Sequence, residues 1–247
     1  HLDYSIDTCV DYTNEIQDRV AVWDRLKNSV KENSRFFTNM DEFAQYEYLT
    51  AGKSLHIGQK LYRSRVTPIG QKKIKWDKMG CPPKELTTAG RANPIGIPYL
   101  YLSDSAKTTY FEVRAVYLDK LSVGTFRIEK DLKLIDFVYD VNLFLSYNDG
   151  SVPLKETIIK KKVIEAISSD LSKPLRRYDS EIEYVPTQLI CEYCRRIVDS
   201  EGATADGITF ESSLHKGGRN YVLFDESAAK CIRVDSHEIT RIDIDRK

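Results

Sequence analysis

The stretch GCPPKELTTAGRANPIGIP, residues 80–98, holds four Pro and three Gly and can run through neither a helix nor a central strand. A run of that length inside a compact domain is either functional or disordered. Any fold open to this chain must therefore assemble its core from segments on both sides of the run.

Those segments are legible from their periodicity. Upstream, Val10, Ile16, Val20, Trp23, Leu26 and Val30 recur at helical spacing, which predicts a helix over 8–31. Asn39 or Asp41 then caps a second helix over 40–50, and Gly52 and Gly58 mark the exit. KLYRSRV at 60–66 reads as a strand. Downstream come the strand YLYLS, a helix over 104–118, strands at 121–128 and 132–138, and a YNDG turn at 147–150. Helices over 153–170 and 186–199 follow, then strands at 206–211, 219–224, 230–235 and near 238–244. Helices and strands mix without βαβ alternation, which predicts an α+β class. The expected division is an N-terminal helical extension, 1–58, and a main domain, 59–247, with an insertion around 140–183.

Charge narrows the partners. Lys plus Arg equals Asp plus Glu at 37 each, so no global field draws the chain to nucleic acid or an anionic membrane, and neither is expected as a partner. An anion site must be built from a few local arginines. No apolar run approaches the eighteen or so residues of a membrane helix. Five scattered cysteines (Cys9, Cys81, Cys191, Cys194, Cys231) suit a reducing cytoplasm, the expected location. The start at His1, without Met or a signal-peptide pattern, is expected of a trimmed chain. CEYC at 191–194 has no second Cys/His pair at a zinc-like spacing, so no metal is expected. G-x-G-x-x-G after a strand, the P-loop and the G-x-S-x-G elbow are all missing from the sequence.

Several residues are placed to carry chemistry. Along PYLYLS, Tyr99, Tyr101 and Ser103 share one strand face and Leu100 and Leu102 the other, so core-facing leucines leave the tyrosines lining a cleft or packing at its rim. In SAKTTYFEVRAVYL, Glu112 and Arg114 interrupt a helix apolar around most of its circumference, which predicts burial of most of the helix. Glu112 then lies either among buried neighbours, where it needs a partner, or in the remaining exposed sector. Arg91, in the Gly/Pro-rich loop, is suited to a bidentate grip on phosphate. Arg63 and Arg65 share a strand face; each arginine taken singly also fits an ordinary surface role. Ser212 and Ser213 close a strand with His215 nearby, either as hydrogen-bond donors to a ribose or phosphate oxygen or as plain strand terminators. Lys160, Lys161 and Lys162 read as a solvated helix face.

Taken together, LYRSRV, MGCPPKELTTAGRANPIGIPYLYLSDSAKTTYFEVR, YVPTQLICEYCR and DGITFESSLHKGGRNYVLFD resemble the RES domain, named for its Arg, Glu and Ser. The resemblance implies an ADP-ribosyltransferase-like split mixed β-sheet core with flanking helices and a cleft for NAD+. It implies a toxin of a bacterial toxin–antitoxin pair that degrades NAD+ as substrate, with no further cofactor, by hydrolysis or phosphorolysis. Phosphate and a helix-turn-helix antitoxin covering the active site are the partners it implies. By position, Arg91, Tyr101 and Glu112 stand for the family's catalytic residues, and Ser212 with Arg63 or Arg65 for its substrate-binding ones. The Y-x-S motif reads Phe210-Glu211-Ser212 here, without the tyrosine hydroxyl. Cleaving the nicotinamide bond passes through a ribosyl cation, for which Glu112 would supply negative charge. Arg91 with Arg63 or Arg65 would hold the pyrophosphate, Tyr101 pack on nicotinamide or the ribose edge, and Ser212 bond the nicotinamide ribose. Two alternatives stay open: an ADP-ribosyltransferase acting on a protein, and a non-catalytic nucleotide-binding or interaction module.

Overall fold

A computed structural model describes residues 12–44, 49–138, 140–141, 153–173, 181–198 and 202–242. The chain divides into two compact units, His1–Tyr48 with Tyr139–Ile167, and Leu49–Val138 with Ser168–Lys247. In the smaller unit, helices α1 (Asn14–Val20) and α2 (Val22–Glu32) stand where one helix over 8–31 is expected, separated only by a turn at Ala21, and residues 8–11 of that helix lie outside the described residues. Trp23, Leu26 and Val30 of α2 are buried as their spacing predicts. A short α3 (Asp41–Ala44) follows. Arg19 grips Glu156 through two hydrogen bonds, at 2.6 and 2.7 Å. Cys9, the YNDG turn and residues 45–48 of the second expected helix lie outside the described residues.

The larger unit holds an eight-stranded mixed sheet: β1 (Ala51–Leu55), β2 (Lys60–Val66), β3 (Leu100–Ser103), β4 (Lys120–Ile128), β5 (Leu132–Asp136), β6 (Gly207–Glu211), β7 (Arg219–Leu223) and β8 (Ala229–Glu238). Their spatial order is β1-β5-β6-β7-β3-β2-β4-β8. Every pairing is antiparallel except β5 with β6. The expected α+β class is what the chain adopts. Two expectations need correction. Ala51–Leu55 is a strand rather than a helix exit. The strand expected near 238–244 is not formed over the described residues 239–242, the one expected at 230–235 running instead as Ala229–Glu238, while 243–244 lie outside the described residues. β8 stays whole because it pairs with β4 along its length, absorbing a register shift between Thr125 and Phe126.

The sheet has a weak seam. β2 pairs with β4 over seven residues, yet meets β3 only at Tyr62 opposite Ser103. The sheet is thus split into β1-β5-β6-β7-β3 and β2-β4-β8. Leu61, Leu100, Leu102, Phe126, Leu134 and Leu223 join one apolar core on both sides of the split. Apolar burial therefore holds the halves together where the hydrogen-bond ladder does not. The helices α4 (Ala106–Glu112), which contacts both β2 and β3, α5 (Leu154–Ser172) and α6 (Val185–Cys194) complete the described elements.

The expected helix over 104–118 ends at Glu112. Arg114 takes a left-handed backbone, φ 51°, its N–H reaches the Phe111 carbonyl, and the Ala115 N–H reaches that of Tyr110. This is a Schellman termination with arginine in the place usually held by glycine, so the sequence carries no warning of it. The expected burial fails for the same reason: Val116, Tyr117 and Leu118 lie beyond the helix and are exposed, as is much of Phe111.

Candidate active site

A cleft of about 290 Å³ opens at the seam, lined among others by Tyr62, Arg63, Arg91, Tyr101, Glu112 and Asn220. Its volume sits at the small end of the ligand-pocket range, roughly 300–1,000 Å³. Strand alternation does not segregate its lining. Consecutive residues Tyr62, Arg63 and Ser64 all reach the cleft, because β2 turns away from β3 after a single pair.

Glu112 is the last residue of α4. Ser105 caps the helix start by accepting from the Thr108 N–H at 3.1 Å. Ser64 and Thr109 share a hydroxyl contact that ties α4 to β2. At the other end, Glu112 Oε1 accepts from Ser212 Oγ at 2.6 Å and Asn220 Nδ2 at 2.7 Å. Both bonds fall on one oxygen, so Oε2 keeps its lone pairs. Ser212 is itself fixed, since its Oγ accepts from the backbone N–H groups of Leu214 and His215. It stands behind the carboxylate and is not part of the cleft lining. His215 is likewise outside the lining; it stacks on Phe111 at 5.0 Å and meets Thr108 Oγ1 through Nδ1 at 3.0 Å.

The arginines expected on one strand face part company. Arg65 donates to the carbonyls of Lys78 and Gly80, both at 3.0 Å, and is not a lining residue. Arg63 lines the cleft, and its Nη1 is buried with no hydrogen-bond partner among the described residues. Burial lowers the Arg63 pKa, helped by the charge of Arg65 and opposed by Cys81 and Tyr101. A guanidinium nonetheless stays protonated, so this is a desolvated cation short of partners. Arg91 donates to the Asp170 carbonyl at 2.9 Å and lies over the Tyr184 ring at 5.7 Å. Burial lowers its pKa as well, opposed by Tyr184, Glu112 and Tyr101.

The Gly/Pro-rich run is an ordered scaffold. Tyr101 Oη donates to Asn93 Oδ1 at 2.7 Å and accepts from the Ala92 N–H at 3.1 Å. Thr187 and Gln188 of α6 donate to the carbonyls of Arg91, Gly90 and Asn93. A Cβ at Gly90 would fall 2.9 Å from Tyr101 Oη and closer still to Asn93 Oδ1, so only glycine fits. The Tyr101 hydroxyl is thus spent on placing Arg91, and only its ring is left to face a ligand. Burial pushes that hydroxyl's pKa far up.

Asn220 escaped the sequence reading. No motif marks it; it is the second residue of the strand RNYVL, and only the register of β7 against β3, Ser103 opposite Asn220, brings it to Glu112. Thr187 and Gln188, helix residues that meet the loop across more than ninety positions, were missed too, as was Asn93 within the GRANP stretch. Cys191 and Cys194 are buried on α6, and Lys161 and Lys162 both reach Glu165.

With this geometry in hand, the family model of the RES domain matches residues 60–244, well over half of the chain. The chain belongs to the RES-domain family. No curated protein and no solved structure shows a significant match to it. Among the described residues, no helix is long and apolar enough to cross a membrane.

Proposed function

We propose that this RES domain degrades NAD+ by breaking the bond between nicotinamide and ribose, as the toxin of a toxin–antitoxin pair. The observation that carries the reading is the pairing, in one cleft, of a carboxylate held by two donors with two part-buried arginines. In the reaction the C1′–N bond breaks and both electrons pass to the pyridinium nitrogen, which leaves as neutral nicotinamide. C1′ becomes an oxocarbenium centre, and water, losing a proton, or phosphate then closes it. Nicotinamide needs little help to leave, so the protein mainly positions the ribose and places negative charge beside it. Glu112 Oε2 would take a ribose hydroxyl and stabilise the cation. Arg63 and Arg91 would hold phosphate oxygens, and the Tyr101 ring would pack on the nicotinamide half. A cleft of this size would take that half first, with the adenosine end toward its mouth. The apolar residues after α4 would offer an antitoxin its footing.

The test is nicotinamide release from NAD+ by the purified chain, with and without phosphate. Glu112→Gln keeps the shape and the acceptor for Ser212 and Asn220 but removes the charge, and should slow release by about a hundredfold or more, roughly 3 kcal/mol. Release that needs phosphate would define a phosphorylase. Label transferred from NAD+ to protein would point to a transferase, and tight binding without release to a non-catalytic module.

A further inference from the structure

We propose that Asn220 is a positioning residue for Glu112, acting through a relay that runs from Ser103 to Asn220 to Glu112; its catalytic meaning rests on the reading just given. Ser103 Oγ donates to Asn220 Oδ1 at 2.8 Å, and Asn220 Nδ2 donates to Glu112 Oε1 at 2.7 Å. A carboxylate only accepts, which sets the amide with nitrogen toward Glu112 and leaves its oxygen to the Ser103 hydroxyl. The relay is buried up to its last member: Ser103 is 3% and Asn220 8% exposed.

The two partners of Glu112 differ in how firmly they are built in. Asn220 sits on β7, paired with β3 on one side and β6 on the other, and its carbonyl also accepts from buried Thr209 Oγ1 at 3.0 Å. Ser212 lies past the end of β6, in the turn that returns at Gly218. Glu112 itself ends a seven-residue helix. A terminal side chain on so short a helix has several rotamers open to it. The central strand removes that freedom: with Oε1 pinned, Oε2 is the oxygen presented to the ribose. Asn220 also lines the cleft, so it fixes the carboxylate from the ligand's own side. Of the charged groups around this carboxylate, Arg91 and Arg63 share the cleft, and among the described residues no second acidic one lines it.

Asn220→Asp is the sharpest test, because it keeps size and the Ser103 bond while setting a second carboxylate against Glu112. At pH 8 nicotinamide release should lose about thirtyfold or more in kcat while KM stays within about threefold, as expected when a transition-state interaction alone is lost. The deficit should narrow as pH falls, because two carboxylates in contact come to share a proton. Ser103→Ala, which frees the amide to turn, should cost about three- to fivefold in kcat. A native kcat and a superimposable pH profile for Asn220→Asp would overturn the relay, even with Glu112 proven essential.

A readout without turnover separates this inference from the NAD+ reading. The side-chain amide protons of Asn220, followed by nitrogen–proton NMR in the folded chain, should include one protected from exchange. Glu112→Ala should abolish that protection. If protection persists the relay is wrong, whatever the chain does to NAD+; if protection is lost but no nicotinamide is ever released, the relay stands and the reaction does not.

Discussion

On one wall of the cleft Glu112 meets two donors within 2.7 Å, each braced by a further hydrogen bond. On the other, Arg63 buries a guanidinium nitrogen that no described residue answers. The first wall is finished by the protein itself. The second is left open by the described residues, and an anion such as the proposed substrate's phosphate would complete it. A preorganised carboxylate supports chemistry from the moment of binding, whereas a buried cation with one unpaired nitrogen would lend its electrostatic attraction to binding because the fold has already borne its desolvation.

The comparison breaks most readily at Arg63. Arg63→Met keeps the length and removes the cation, so NAD+ turnover should fall by about a hundredfold. The same substitution should leave the fold as stable or raise stability by about 1 kcal/mol, since it removes a desolvated charge. Thermal unfolding beside the kinetics checks both halves, and a clear loss of stability would show that Arg63 is structurally paired after all. Ser212→Ala takes one of two donors from Glu112, and should cost about tenfold in kcat, close to 1.4 kcal/mol. A loss as large as that of Glu112→Gln would mean that Ser212 touches substrate directly.

Smaller effects belong to the scaffold. Tyr101→Phe leaves Asn93 Oδ1 and the Ala92 N–H without their partner and should lower stability by about 1 kcal/mol in denaturant unfolding. Burial also raises the pKa values of Tyr99, Tyr101 and Tyr221. Above about pH 10 an unfolded chain ionises such groups while the folded one resists. Their contribution is therefore intact below that pH and drains away as pH rises past it, and Tyr101→Phe should flatten the decline. Smallest is Arg65→Gln, which gives up two carbonyl bonds and should cost about 1 kcal/mol or less of stability with NAD+ turnover nearly unchanged. A large loss of turnover there would erase the contrast between Arg63 and Arg65.

The sequence by itself determined the class of fold, the order of most elements and the family, because periodicity and turn residues are local signals. It also picked out Glu112, Arg91, Tyr101 and Arg63, all of which line the cleft. It could not choose between Arg63 and Arg65, two residues apart on one strand. That choice depends on where β2 leaves β3, and on the Lys78 and Gly80 carbonyls that occupy Arg65. It ran α4 six residues too far, because a left-handed arginine ends the helix without a glycine to announce it. It passed over Asn220 entirely. A residue that meets another across 108 positions of chain has no local signature; only strand register decides that such a pair will meet.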